Sequence, residues 1–161
     1  MVTTALREVG TKEYGGNNRG ARVEEYLAST KLGPNYPWCA SYVRWCHAQC
    51  GVDLQPARAF AAAAQYATAH EVFRKGQLDD YEPLGPGHEW ERISEDADVF
   101  TLWYSKLNRV GHCGIIIGED EKYVITCEGN TNTDGGRDGD GVLRRRRMKA
   151  TLYTVNRWVN G

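Results

Sequence analysis

Apolar positions recur at helical spacing in the first half of the chain, and gather into short alternating or continuous runs in the second. Val23, Tyr26 and Leu27 stand at i, i+3 and i+4, which predicts a helix over 21–29. A glycine and two prolines within 31–37 break it. A second helix is expected from Cys39 to Cys50, with Gly51 as its stop signal. A third is expected after Pro56, whose fixed φ suits a first helical turn, with an alanine-rich body over 60–69. Residues 76–97 are rich in proline, glycine and acids without a sustained period, and read as a long functional or mobile loop. Beyond it, β-branched and aromatic runs predict strands at 98–104, 112–118, 123–128, 142–148 and 152–158. Helices followed by strands, with no βα alternation and no internal repeat, give an α+β domain with a mostly antiparallel sheet.

The 161 residues fit a single domain, 1–161, and 41% apolar against 25% charged residues excludes wholesale disorder. Twenty basic against 21 acidic side chains argue against a nucleic-acid partner. No run approaches the ~18 apolar residues of a membrane-spanning helix, so no membrane insertion is expected. Residues 1–10 lack a basic segment followed by an apolar one, so synthesis in the cytoplasm without a signal peptide is expected. Five cysteines are an odd set, which leaves at least one thiol free unless it pairs between chains.

One of these thiols, Cys39, opens a predicted helix. There the macrodipole and the unpaired first-turn N–H groups favour thiolate, and the same N–H groups can stabilise an oxyanion on an attacked carbonyl. Such a nucleophile needs a base. His47 lies eight residues further along the same helix, about 12 Å along its axis, and cannot reach the sulfur. His70 is expected at the C-terminus of the alanine-rich helix, as a dipole partner, and His88 falls in the long loop. His112 opens a short apolar strand, where a polar side chain is rigidly held. On the next strand Glu128 would lie directly opposite His112 in a hairpin of three or five loop residues, near enough to accept from the imidazole. Asn130, two residues on, offers a second hydrogen bond to the ring. Nucleophile, base and orienter then complete a triad.

Other groups read less sharply. Cys46, Cys50, Cys113 and Cys127 match no zinc spacing, and packing of helix on sheet accounts for them better. Asp134, Asp138 and Asp140 offer oxygen ligands but fail the EF-hand pattern. Glu13, Asn17 and Asn18 read as either a ligand group or a wall of a substrate cleft. The run Arg144–Arg147 alternates sides on a strand, two of its members flanking the substrate side or pairing with nearby aspartates. Trp38 and Tyr36 precede the Cys39 helix and are candidates to line a groove for a sugar-peptide substrate.

Four segments, Pro37-Trp38-Cys39-Ala40-Ser41-Tyr42-Val43, Ala97-Asp98-Val99-Phe100, Gly111-His112-Cys113-Gly114-Ile115-Ile116-Ile117 and Glu128-Gly129-Asn130-Thr131-Asn132, resemble in order the motifs of CHAP domains. These are cysteine, histidine-dependent amidohydrolases and peptidases of phage lysins and bacterial wall enzymes. Residues 9–18 resemble the opening segment of phage-type members. The resemblance covers nearly the whole chain. It implies a papain-like fold of the NlpC/P60 and CHAP type, and it implies Cys39 as nucleophile, His112 as base, Glu128 as ring orienter and Asn130 as auxiliary polar residue. The implied activity is hydrolysis of a peptidoglycan amide, by an N-acetylmuramoyl-L-alanine amidase or a peptide endopeptidase, in an antibacterial or endolysin setting. The chemistry requires no cofactor or metal, though some members bind calcium. A monomer is expected, acting on the cell wall after lysis or dedicated export. The alternatives are an acyl-transfer or protein-modifying effector on the same fold, with an inhibitor or immunity protein as partner, and a non-catalytic binding module. The chain departs from the family at Ala97, usually glycine, at Cys113, usually valine, and in its long 76–97 loop.

Overall fold

A computed structural model describes residues 1–75, 93–133 and 139–159. Three α-helices, α1 (Val2–Arg7), α2 (Ala21–Ser29) and α3 (Cys39–Gln49), precede two 3-10 helices, Ala59–Ala61 and Ala63–Ala67. Six strands follow: β1 (Glu71–Arg74), β2 (Val99–Tyr104), β3 (Arg109–Glu119), β4 (Tyr123–Thr131), β5 (Gly141–Met148) and β6 (Thr154–Asn156). They form one sheet in the order β1-β6-β2-β3-β4-β5, with every described pairing antiparallel. The α+β class and antiparallel sheet expected from the pattern are those observed. No helix among the described residues is long and apolar enough to cross a membrane.

The helix α2 occupies the predicted span and buries Val23, Tyr26 and Leu27, the three residues whose spacing announced it. The α3 helix is buried at every position from Cys39 to His47, so it runs through the core rather than along the surface. Its one cation, Arg44, is satisfied by the carbonyls of Leu54 (3.1 Å) and Ser29 (2.6 Å) and by Asp53 (2.7 Å). The Ser29 contact also places a guanidinium at the negative C-terminal end of α2. Gly51 ends α3 as expected: its φ of +80° lets the N–H groups of Gly51 and Val52 close back onto Ala48 and His47.

The sheet is buried on two faces. Val99, Cys113, Ile115 and Cys127 pack towards the helices, while Phe100, Leu102, Ile116 and Val124 form a second core with Leu152 and Val155. Strand alternation distributes them, since neighbours such as Val99 and Phe100 point to opposite faces.

Several expectations are corrected. The alanine-rich segment is not an α-helix: Ala62 is extended (φ −107°, ψ 130°) and separates two 3-10 turns. Phe60, Ala63 and Tyr66 are its buried residues. That three-residue spacing suits the 3.0-residue turn of a 3-10 helix, so packing overrides alanine's helix propensity. His70 therefore closes no helix; it has φ +56° and lies edge-on to Trp158 at 4.8 Å. The helix α1 and strand β1 were not anticipated, and β6 is shorter than its predicted run. Of the long loop only 93–97 is described. His88 lies outside the described residues.

Candidate active site

Cys39 is the first residue of α3. No side chain caps that helix, so its first-turn N–H groups remain available at the sulfur's end. The preceding residue is fixed on three sides. Trp38 is fully buried and stacks on Tyr26 (5.5 Å between centroids), its indole N–H donates to Glu13 Oε1 (2.9 Å), and its backbone N–H donates to Asn130 Oδ1 (3.2 Å). Trp38 is thus a core residue and not a groove wall, because its apolar ring finds an aromatic partner and its one polar atom is satisfied inside. Glu13 serves that indole, and Asn18 is buried with its carbonyl accepting from Asn35 (3.1 Å). Asn17 is exposed.

His112 enters the site through an irregularity in the ladder. Leu102 pairs with His112 but Trp103 pairs with Val110, leaving Gly111 as an extra residue. A bulge of this kind bends the strand and re-aims the adjoining side chain. The ring is buried, and its Nε2 meets Glu128 Oε2 at 2.8 Å. The two are not directly opposed, as the hairpin argument supposed. The pairing Ile115↔Cys127 puts Gly114 across from Glu128, so His112 reaches it diagonally on the same face. A Cβ on Gly114 would lie 2.8 Å from Glu128 Cγ and 2.7 Å from Phe100, so a glycine is needed there for the carboxylate to cross.

Glu128 is fully buried and saturated with donors: Thr126 Oγ1 (2.6 Å), Arg147 Nε (2.6 Å) and Arg147 Nη2 (2.5 Å), besides the imidazole. Arg147 was legible only as one of four arginines. The alternation expected of that run is present, with 145 and 147 half-buried and 144 and 146 exposed. Arg146 pairs with Asp120 (2.7 Å) and lies over the Tyr123 ring. Asn130 sits at a second irregularity, on β4 opposite β5, with φ +54°. Its Oδ1 accepts from the residue before the nucleophile, while the ring nitrogen facing β4 belongs to Glu128.

The remaining ring nitrogen, Nδ1, is buried without a hydrogen-bond partner, and the Cys39 thiol interacts with this ring. The Cys39 thiol is held well below the ordinary thiol range. A hydrogen bond from the Cys113 thiol contributes most, burial opposes it, and the adjacent His112 ring lowers it further. Cys113 moves the other way, pushed well up by burial and by its bond to Cys39, so it stays a protonated donor. Burial works to lower His112, but Cys39 and Glu128 override it and hold the imidazole at about 9. Burial likewise works against ionisation of Glu128, and the Arg147 and His112 hydrogen bonds overcome it, leaving the carboxyl at about 2. These shifts favour four charges that alternate in sign along one line, Cys39 thiolate, His112 imidazolium, Glu128 carboxylate and Arg147 guanidinium.

Cys39 is 8% exposed and opens onto a cavity of about 330 Å³. Tyr36, 51% exposed, lines it together with Pro37, Arg58, Arg109 and Gly111.

All five cysteines are free. Cys46 and Cys127 are core residues as expected, whereas Cys50 is exposed and does not pack against the sheet. Buried His47 donates from Nδ1 to the Val43 carbonyl (2.8 Å), and burial lowers it to about 4. Among the described residues no group of three or more His, Cys, Asp or Glu side chains could hold a metal ion. Asp140 pairs with Lys12 (3.4 Å), and Asp134 and Asp138 lie outside the described residues.

Compared with protein-family models the chain matches none, and a search of curated proteins finds no match.

Proposed function

We propose that this chain is a cysteine amidohydrolase or peptidase of papain-like architecture that cleaves an amide bond of peptidoglycan. The observation that carries the catalytic half of this reading is the continuous line from Arg147 through Glu128 and His112 to a thiol at an uncapped helix N-terminus beside a cavity. The wall substrate rests on the CHAP-like motifs of the sequence.

In this mechanism the Cys39 thiolate forms a C–S bond with the amide carbonyl, and the carbonyl electron pair moves to oxygen. The N–H groups of the first α3 turn, that of Cys39 included, receive the oxyanion. His112 gives its proton to the amine as the C–N bond breaks, leaving an acyl-enzyme. Neutral His112 then takes a proton from water, whose oxygen attacks the thioester. Collapse releases a carboxylic acid and restores the thiolate, with the proton back on the ring. Glu128, kept ionised by Arg147, fixes the ring orientation throughout.

Purified peptidoglycan incubated with the protein is expected to release new amino groups and peptide-bearing fragments identifiable by mass. The Cys39→Ala variant should release neither while keeping the circular dichroism of the native fold. Undiminished release by that variant would end the assignment.

A further inference from the structure

The cavity in front of Cys39 has walls of small and apolar side chains, Leu32, Val110 and the alanines 61–64, and a rim with two cations, Arg58 and Arg109. Its volume lies at the low end for small-ligand sites. The two arginines come from different elements of the fold. Arg58 precedes the first 3-10 turn and Arg109 begins β3. Arg22, Arg44, Arg74, Arg146, Arg147 and Arg157 each have a carboxylate partner. Arg58 and Arg109 are exposed, and their side chains make no ion pair or hydrogen bond among the described residues. Two unmatched guanidiniums facing one cavity beside a nucleophile are suited to bidentate capture of a carboxylate.

We propose that Arg58 and Arg109 form a substrate subsite that selects peptides bearing a free carboxylate beside the cleaved bond. This rests on Cys39 being the nucleophile of the proposed reaction, and it names the chemical class of acceptable substrate.

The test has two arms. In the first, Cys39 is alkylated with iodoacetate and with iodoacetamide at low ionic strength, and peptide mapping by mass separates it from Cys50, whose exposed thiol serves as the internal reference. The iodoacetate-to-iodoacetamide rate ratio at Cys39 should fall about fivefold in the Arg58→Gln/Arg109→Gln double variant and about twofold in each single one, with the ratio at Cys50 unchanged. In the second, peptide amides identical except for Glu or Gln beside the cleaved bond are compared. The unaltered protein should favour Glu in kcat/KM, and the double variant should lose that preference. Ratios at Cys39 indistinguishable from those of the unaltered protein would overturn the subsite. Cys39-dependent cleavage without a Glu preference would do the same and leave the hydrolase reading standing. A lost alkylation preference without cleavage of any peptide or of peptidoglycan would uphold the anion subsite and remove the hydrolase reading.

Discussion

Two carboxylates lie buried on neighbouring strands, and they serve different ends. Glu119, at the end of β3, accepts from Lys149 Nζ, from the Ser94 hydroxyl, and from the backbone N–H groups of Ile93 and Ser94, both at 3.0 Å. Each of these partners is a backbone group, a hydroxyl or a buried lysine, so the cluster is closed and ties the end of the long loop to the sheet. Glu128 is as fully bonded, with Arg147, Thr126 and His112, but one of its partners has a second reactive face. Beyond the imidazole come an unpartnered Nδ1, a thiol and a cavity. Burial of a charge is common to both. What marks the candidate site is the open end of the chain of contacts.

The sharpest break in that contrast is Glu128→Gln. It leaves the largely buried Arg147 side chain without a counter-charge, at a cost of about 3–5 kcal/mol in urea unfolding, and it replaces the charged acceptor of His112 by a neutral amide. The stability that Glu128 and His112 contribute also has a defined pH window. Folding raises His112 from 6.5 to about 9, so its share is complete below 6.5 and is lost as pH rises through about 9. Folding lowers Glu128 from 4.5 to about 2, so its share is complete above 4.5 and is lost as pH falls through about 2. Both limbs should flatten in Glu128→Gln. Glu119→Gln should cost about 3 kcal/mol by the same measurement, for the same reason, yet leave the pH profile of Cys39 alkylation unchanged. Should it alter that profile, the two clusters are not independent. Cys113→Val, which removes only the thiol donor, should slow Cys39 alkylation at pH 6 by about tenfold with little loss of stability. Ala97→Gly is the smallest change: Ala97 holds φ +82°, a conformation glycine adopts freely, so the substitution should stabilise by about 0.5 kcal/mol in the same unfolding assay.

Much of the site was legible because residue type and position along an element carry the chemistry. A cysteine where a helix begins, a histidine where an apolar strand begins and a glutamate on the next strand need only a hairpin to meet. The α2 and α3 helices were legible from their apolar spacing and from Gly51. What could not be read depends on pairing between distant segments. The extra residue at Gly111 exists only relative to β2, and Glu128 finds Arg147 across β5, inside a run whose four members look alike until alternation sorts them. Trp38 reads in the sequence as a candidate groove wall because Glu13 and Asn130, the groups that bury its two N–H donors, come from 25 residues before it and 92 after. Cys113 looked like packing because nothing local placed its thiol against Cys39.

The most direct test is the pH dependence of Cys39 alkylation by iodoacetamide, followed site by site by mass. A thiolate held by Cys113 and His112 predicts a rate that stays fast well below the ordinary thiol range. A rate that climbs only through the ordinary thiol range near 8.5 would mean that Cys39 rests as a neutral thiol and that the alternating line of charges does not exist.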